Sequence, residues 1–431
     1  MTTNVAQRHT VLIIVRAPRR WSASEVTESA PICVCLCLSV AEFVRVCLGQ
    51  FGPCLSVANF WFVFVCVCLC LSVASLVRCL SVAASGSCVR LWPYNAAVFI
   101  NASAPTRIDL AGGTLDIWPL YLFHDEAQTL NAAISLRARC SIRPRRDRGI
   151  VITSEDTGDR VEAAHWSELR GSVELRLLGR LLHYFQAEGM ELNTRSESPV
   201  GAGIAGSSAL NIAVCGALSA WTGHSLSDDA LLQLAMNVEA QAIDVPTGVQ
   251  DFRPALYGGI SAVELGADRV RRVALPVDPA ELERRLVLAY TGATRNSGIN
   301  NWEVMKRHID GDREVQARFS RICEIAAVMR EALERGDWPE VGRQVAEEWE
   351  NRKHLAPGVT TAHIDDMLAA ARAAGATGGK ICGAGGGGCL FCIGDPADIP
   401  AIRSALEVNG ARLLAFHIET DGLRVETRVV A

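Results

Sequence analysis

The chain of 431 residues is long enough to form two domains with sizeable cores. Its formal charge of −5 gives no overall positive field, and no basic run is interleaved with aromatic residues. The composition therefore does not favour nucleic-acid binding.

Residues 1–96 differ in composition from the rest of the chain. Ten of the sixteen cysteines lie between Cys33 and Cys88, and four copies of Cys-Leu-Ser-Val-Ala occur at irregular intervals. These copies start at Cys37, Cys54, Cys70 and Cys79. Their spacing matches neither a known repeat fold nor a zinc site. The segment therefore has no recognisable packed unit of its own.

Three interpretations of residues 1–96 compete. A membrane anchor is one, because residues 54–77 carry no charge. A signal sequence fits less well, since the apolar run starts far from Met1. We favour translated repetitive DNA ahead of a functional protein that begins near Val98. On this interpretation no membrane association is expected, the protein is cytoplasmic, and its six other cysteines are reduced and buried.

Strand-like and helical runs alternate from Val98 onward. The strand-like runs are residues 98–102, 132–142, 287–290, 388–393 and 423–430. The helical runs are residues 173–188, 207–221, 228–241, 315–335, 339–354 and 360–374. The alternation lacks the strict period of a parallel barrel, so we expect a two-domain α+β architecture.

Residues 104–116 form the first segment with candidate chemistry. A strand is predicted to lead into the Gly112-Gly113 turn, with Asp116 just beyond it. A carboxylate on such a turn is suited to accept hydrogen bonds from a sugar or polyol, and Arg107 could stabilise negative charge. The alternative is a hairpin with a solvated aspartate.

A glycine-rich loop spans residues 197–209 and leads into an apolar helical run. Its glycines permit close approach of the backbone to a ligand, and the helix that follows directs N–H groups and its positive dipole end towards an anion. The loop also satisfies a G-x-G-x-x-G pattern, but a polar segment ending in Pro199 precedes it, where a dinucleotide site needs a buried strand. We therefore predict a nucleotide-phosphate site. The alternative is an ordinary loop that caps a helix.

Two acidic residues follow on the next predicted helix and in the loop after it. Glu239 shares a stripe with Leu232 and Ala235, and a buried carboxylate there would need a metal ion or another cation. The alternative places its side chain at the edge, in water. Asp251 lies in a proline- and glycine-bounded loop close enough in sequence to share a site with Glu239. In such a pair, one carboxylate can bind a metal ion while the other accepts a proton.

Residues 378–391 contain a second glycine-rich segment, between a predicted helix and a predicted strand. The density of glycines predicts close packing of its backbone against another loop or a ligand. A flexible linker is the alternative.

These segments, in this order, resemble the GHMP kinase superfamily over residues 98–431. Residues 104–116, 199–209 and 380–390 are similar to its three motifs, although Ile204-Ala205 replaces the usual Leu-Gly of the phosphate loop. Among its members, the resemblance is strongest to the heptose 7-phosphate kinase and fucokinase group. Phe252-Arg253 and Trp118 depart from that group's pattern.

The resemblance implies a two-domain fold. The first domain, residues 97–275, would be ATP-binding and of the ribosomal protein S5 domain 2 type. The second domain, residues 276–431, would be ferredoxin-like. Residues 1–96 would lie outside the functional fold.

The resemblance also implies roles for individual residues. Asp251 would orient or deprotonate the acceptor hydroxyl, Arg107 would stabilise the transferring charge, and Ser208 with Glu239 would hold Mg²⁺. The remaining candidate positions would bind ATP phosphates or substrate. The phosphate-binding positions are Pro199, Gly201, Gly203, Gly206, Ser207 and Ser208. The substrate-binding positions are Asp116, Gly385, Gly386 and Gly387.

The activity implied is ATP-dependent phosphorylation of a hydroxyl, expected to be anomeric, on a sugar or sugar phosphate. Arg295 and Lys306 are candidates for binding a second phosphate. A mevalonate- or homoserine-type small-alcohol kinase is the alternative enzyme, and a non-catalytic sugar or nucleotide sensor is the alternative binding protein. The expected partner is a small molecule, and self-association is left open.

A chain beginning near Val98 should be soluble, folded and as active as the full chain, because every motif lies beyond that residue. Circular dichroism and a phosphoryl-transfer assay on both chains check this prediction. Loss of folding on deletion would show that residues 1–97 are structural, and membrane retention of the full chain would support the anchor.

Overall fold

The computed structural model describes residues 97–293 and 297–430 and, before them, only the backbone of three short strands. The anchor, signal-sequence and translated-repeat interpretations concern residues 1–96, which apart from these strands lie outside the described residues. The chain divides into two compact units, residues 1–93 and 94–431. In the first unit, β1 (Phe64–Cys68), β2 (Cys79–Ala84) and β3 (Ser87–Cys88) form an antiparallel sheet.

The second unit contains twelve described strands and ten described α-helices. The strands are β4 (Ala97–Ala111), β5 (Gln128–Pro144), β6 (Ile150–Ser154), β7 (Arg160–Ala163), β8 (Met190–Ser196), β9 (Ile260–Leu265), β10 (Val270–Ala274), β11 (Leu286–Tyr290), β12 (Ala376–Ile381), β13 (Cys389–Gly394), β14 (Arg412–Leu414) and β15 (Arg424–Val430). The helices are α1 (Arg176–Phe185), α2 (Gly206–Thr222), α3 (Asp228–Ile243), α4 (Phe252–Tyr257), α5 (Pro279–Glu283), α6 (Ser297–Ile309), α7 (Arg313–Arg335), α8 (Trp338–Arg352), α9 (Ala362–Ala373) and α10 (Ile399–Val408).

The larger sheet is organised around β4 and β5, which pair antiparallel along most of their lengths. On its other edge, β5 pairs first with β9 and then with β8, while β15 pairs with the first half of β4. Only the β6–β8 pairing is parallel within this described sheet. The apolar faces of α1, α2 and α3 cover the sheet and form one core with it.

The smaller sheet has the strand order β12-β13-β11-β14 and is antiparallel throughout. Helices α8 and α9 pack on β12, and α8 also contacts β4 of the larger sheet. Two further apolar clusters join residues of both sheets to α7 and α8. The loops at this junction are therefore held by packing on several sides.

The α+β class is confirmed, and each predicted helix and strand beyond Val98 overlaps an observed one. The prediction was wrong at two places. The polar segment before Pro199 is largely strand β8, whose side chains are alternately more and less buried, as in a strand with one covered face. Residues 378–380, predicted as part of a loop, belong to β12.

All six cysteines beyond residue 97 are buried, as predicted. These are Cys140, Cys215, Cys323, Cys382, Cys389 and Cys392. Within the described residues, no helix has both the length and the apolar character needed to cross a membrane.

Candidate active site

A cavity of about 410 Å³ opens where four loops of the second unit meet. Its walls come from the turn after β4, the loop before α2, the loop between α3 and α4, and the start of the loop after β12. The predicted residues Arg107, Asp116, Glu239 and Asp251 all line it, together with the predicted phosphate-binding residues. The structure therefore brings together segments more than a hundred residues apart.

The loop before α2 has the backbone form expected of an anion site. Gly201 and Gly203 have φ of 70° and 76°, and Ala205, which precedes the helix, is also left-handed at 61°. The amide of Ala209 makes a helical hydrogen bond to the carbonyl of Ala205 at 3.0 Å. The N–H groups at the start of an α-helix lack intrahelical partners, so this helix end faces the cavity with free donors and a positive dipole.

Glu239 reaches the start of α2 from α3. Its Oε1 accepts hydrogen bonds from the hydroxyls of Ser207 at 2.6 Å and Ser208 at 3.2 Å. The residue is 5 % exposed, so the alternative of a side chain in water is wrong. Burial raises the pKa of Glu239 to about 7, although the two hydroxyls oppose the shift.

The geometry around Glu239 suits a magnesium ion shared with a nucleotide. Its Oε2 is buried and has no hydrogen-bond partner among the described residues. Burying an unpaired carboxylate oxygen costs free energy, and a bound cation would offset that cost. No cluster of three or more His, Cys, Asp or Glu side chains suited to a metal occurs in the described part of the chain. Mg²⁺ in phosphate-transfer sites, however, usually takes one or two protein ligands and completes its shell with phosphates and water.

Arg107 and Asp251 form an ion pair in the wall of the cavity. The Nε and Nη2 of Arg107 donate to Oδ1 of Asp251 at 3.0 and 2.5 Å, and Nη1 donates to the carbonyl of Gly203 at 2.9 Å. Burial alone would lower the pKa of Arg107, but the carboxylates of Asp251 and Asp109 more than offset it and raise the pKa. The cation therefore joins the carboxylate of Asp251 to the phosphate loop.

Asp116 lies in the cavity wall and is almost fully buried. Its Oδ2 accepts from the backbone N–H of Gln250 at 2.9 Å, and its Oδ1 accepts from the Gln250 amide at 3.3 Å. Burial and the nearby charge of Asp251 raise the pKa of Asp116 to about 7. The solvated-hairpin alternative is therefore wrong, and Asp116 also fixes the loop that carries Asp251.

The predicted substrate-binding glycines Gly385, Gly386 and Gly387 do not line this cavity, whereas Gly383 and Ala384 just before them do. The amide of Gly386 donates to the carbonyl of Val359, and a Cβ at Gly387 would lie 2.9 Å from the carbonyl oxygen of Ala293. The close backbone packing predicted for this segment is therefore present, and it supports neighbouring loops. The substrate-binding role of the three glycines stays a prediction.

The sequence analysis missed a cluster of four charged residues, of which Asp109 and Arg352 line the cavity. Lys380 Nζ lies 2.9 Å from Oε2 of Glu348 and 3.6 Å from Oδ2 of Asp109. Arg352 Nη2 lies 2.7 Å from Oε1 of Glu348 and 3.4 Å from the same oxygen of Asp109. All four side chains are at most 2 % exposed, and their formal charges cancel. We call these residues the buried charge cluster.

Arg352 of this cluster also contacts two of the cavity loops. It donates to the carbonyl of Gly113 at 2.8 Å, to the hydroxyl of Thr114 at 3.2 Å and to the carbonyl of Gly383 at 3.2 Å. The four-residue spacing of Glu348 and Arg352 in a helical run was the available sequence signal. Nothing local in the sequence showed that this pair would be buried against Asp109 and Lys380.

Two parts of the chain match known domains. Residues 174–259 match the GHMP kinases N terminal domain, and residues 329–411 match the GHMP kinases C terminal domain. With the phosphate loop and the cavity in the second unit, these matches define a phosphotransferase that acts on a hydroxyl group. The second unit therefore carries the N and C terminal domains of the GHMP kinases.

Individual relatives agree with this assignment. The D-glycero-alpha-D-manno-heptose 7-phosphate kinase of Campylobacter jejuni is 29% identical over 336 residues, which cover 75% of this chain and 98% of that protein. A mevalonate kinase of Thermococcus sibiricus is 27% identical over 242 residues, 56% of this chain and 70% of that protein. The crystal structure of a D-glycero-D-manno-heptose 1-phosphate kinase from Bacteroides thetaiotaomicron superposes with a TM-score of 0.61 at 25% identity, covering 76% of this chain and 98% of that one.

Lys380→Met should lower the free energy of unfolding by about 3–5 kcal/mol, because it leaves two buried carboxylates with one cation. Lys353→Met is the matched control, since Lys353 pairs with Glu350 at the surface and such pairs contribute about 0–1 kcal/mol. Urea unfolding of both variants and the parent chain measures the difference. Equal stability of the two variants would contradict a structural role for the buried charge cluster.

Proposed function

We propose that this chain transfers a phosphoryl group from ATP to a hydroxyl, preferentially the anomeric one, of a sugar or sugar phosphate such as a heptose 7-phosphate. The observation that carries the proposal is the cavity itself, which is lined by a helix N-terminus with a glycine-rich loop and by an aspartate–arginine pair. The heptose 7-phosphate kinase relative supports the sugar acceptor, because its similarity extends over more of this chain than that of the mevalonate kinase.

The donor side of the proposed site is the loop from Pro199 to Ser208. ATP phosphates would accept hydrogen bonds from the backbone of this loop and from the N–H groups at the start of α2. Glu239 and Ser208 would hold Mg²⁺, which when bound neutralises charge on the phosphates. Because Glu239 sits on α3 and Ser208 on α2, packing between the two helices fixes the separation of these groups.

The acceptor side is formed by Asp251 and Arg107. Both groups line the cavity, and the Asp251 side chain, at 27 % exposed, is more accessible than that of Arg107, at 3 %. Asp251 would accept the proton of the acceptor hydroxyl, or orient that hydroxyl for attack. Arg107 would hold the carboxylate in place and stabilise negative charge that develops beside the phosphate loop.

The charges of the cavity favour a sugar over mevalonate or homoserine. Arg107 and Arg352 are the cavity-lining cations among the described residues, and carboxylates already neutralise both. A substrate carboxylate would find no spare cation there. Sugar hydroxyls, in contrast, can donate to Asp116. Of the two candidates for a second phosphate, Lys306 is paired with Asp310, and Arg295 lies outside the described residues.

A panel of acceptors assayed for ADP release tests the proposal. We expect turnover with sugars or sugar phosphates and none with mevalonate or homoserine, and phosphorus and proton NMR should place the new phosphate on the anomeric oxygen. Phosphate on another hydroxyl would refute the anomeric assignment, and use of mevalonate without any sugar would refute the sugar kinase. Nucleotide binding without turnover of any acceptor would indicate a sensor.

Asp251→Asn should lower the phosphoryl-transfer rate by about 10²–10⁴-fold and leave ATP binding largely intact, because the lost carboxylate acts on the acceptor. Steady-state kinetics and calorimetric titration of ATP measure the two effects. Asp268→Asn serves as the control, since Asp268 is a surface carboxylate outside the cavity. A turnover rate like that of the parent chain would remove Asp251 from the mechanism.

Glu239→Gln and Ser208→Ala should raise the Mg²⁺ concentration needed for half-maximal activity and for tight ATP binding, by about 10–100-fold. Since the pKa of Glu239 is about 7, metal must displace a proton below that pH. Mg²⁺ affinity of the parent chain should therefore fall as the pH drops through 7, and Glu239→Gln should abolish this dependence. Calorimetry at several pH values checks both effects, with Glu331→Gln on α7 as the control. Unchanged metal dependence in both site variants would refute the assigned ligands.

A further inference from the structure

A second cavity lies on the other side of the segment that carries Asp251. It has a volume of about 540 Å³ and shares no lining residue with the active-site cavity. Its walls include Val249 and Arg253, which flank Asp251, and side chains from α3, the β9–β10 hairpin and the Leu120–Phe123 turn. The proposed kinase function assigns no role to it.

Arg253 lines this cavity without a direct ion-pair partner among the described residues. The residue is 7 % exposed, and Nη1 donates to the carbonyl of Val249 at 2.5 Å. No carboxylate oxygen lies within 4.0 Å of its guanidinium in the described residues, and its other N–H groups have no hydrogen-bond partner there. The other buried arginines described, Arg107, Arg137 and Arg352, each pair with a carboxylate. Burial accordingly lowers the pKa of Arg253.

A second guanidinium in the same cavity also lacks an anion. Arg272 donates to the carbonyl of Gly258 at 2.8 Å and stacks on Tyr257, 5.2 Å from the ring centre. Its Nε is buried without a hydrogen-bond partner in the described structure, and burial lowers the pKa of its guanidinium. An unsatisfied buried donor is uncommon, and a charged one is expensive. Both arginines therefore line the same cavity without an ion-pair partner among the described residues.

None of the remaining charged residues around this cavity forms an ion pair with Arg253 or Arg272. Arg269 and Arg271 lie close to Asp268 and Glu264 respectively, outside the wall. Asp229, on the first turn of α3, is the carboxylate in the wall, and it lies beyond ion-pair distance of Arg253. The neighbouring Asp228 interacts with the hydroxyl of Tyr257. Asp116 and Asp229 attract Arg253 only through space, so neither Arg253 nor Arg272 has an ion-pair partner among the described residues.

We propose that this second cavity binds the phosphate group of a small molecule, with Arg253 as the principal ligand and Arg272 as the second. Arginine guanidinium groups match the geometry of phosphate oxygens and bind them with charge-assisted hydrogen bonds. Leu232, Met236 and Val249 provide apolar surface for the body of the ligand. Because Arg253 is two residues from Asp251, an occupied site bears directly on the loop that positions the acceptor.

Inorganic phosphate is the probe for this site. It is titrated calorimetrically into the full chain, alone and in the presence of saturating ADP and Mg²⁺, which would occupy any phosphate site at the α2 loop. Binding that persists with nucleotide and weakens about 10-fold or more in Arg253→Gln supports the proposal. Arg403→Gln, which removes an exposed arginine on α10 with no described ion pair, should bind phosphate like the parent chain.

A gain-of-function variant keeps the test informative if Arg253→Gln fails to fold. Gln233 is exposed at the cavity wall on α3, so Gln233→Arg adds a cation there and should tighten phosphate binding several-fold. Phosphate affinity unchanged in both variants would overturn the proposal, as would phosphate binding that disappears entirely when nucleotide is present. If no acceptor is turned over, the proposed kinase function fails, but the phosphate affinities of the two variants still test the second cavity. They measure phosphate binding and not turnover.

Discussion

Two cations and two carboxylates packed together in the interior form the constraint on which the site depends. Removing charges from water is costly, and that cost is recovered only when all four side chains contact one another. These residues are Asp109, Glu348, Arg352 and Lys380. They come from β4, α8 and β12, so their contacts fix two sheets and a helix relative to one another. Because the cluster is buried, solvent screens the attraction between its charges only weakly. The cluster therefore tolerates little displacement of any element that contributes to it.

The positions of the active-site loops depend on that cluster and on one further cation, Arg107. Arg352 holds the turn after β4 and the loop after β12, while Arg107 holds the phosphate loop and Asp251. The groups that we propose for donor and acceptor are thus held by the same pair of guanidinium groups. Catalysis of phosphoryl transfer depends mainly on positioning and charge stabilisation. A rigid attachment of this kind limits the separation of the two reactants.

The sequence predicted the parts of the site that are local, and failed where partners are distant. The glycine loop and the helix after it occupy consecutive residues, so the loop–helix form of 199–209 was predictable from the sequence. The shared cavity of Asp251 and Glu239 was likewise predicted from their short separation, while their roles stay predictions. The pairing of Asp109 with Arg352 spans 243 positions, and nothing local marks which of 42 basic residues will be buried. The strand character of 190–196 was missed because its apolar residues alternate with polar ones facing outward.

The pairing of β15 with β4 has a consequence for how the molecule is assembled. Arg424 lies opposite Ser103, so the edge of the strand that carries Arg107 and Asp109 is completed by residues synthesised more than three hundred positions later. Closing so long a loop is entropically costly and slow. During synthesis on the ribosome, the edge of β4 would remain unpaired until the last strand emerges. The nascent chain then presents an open sheet edge, which is the kind of surface that chaperones protect.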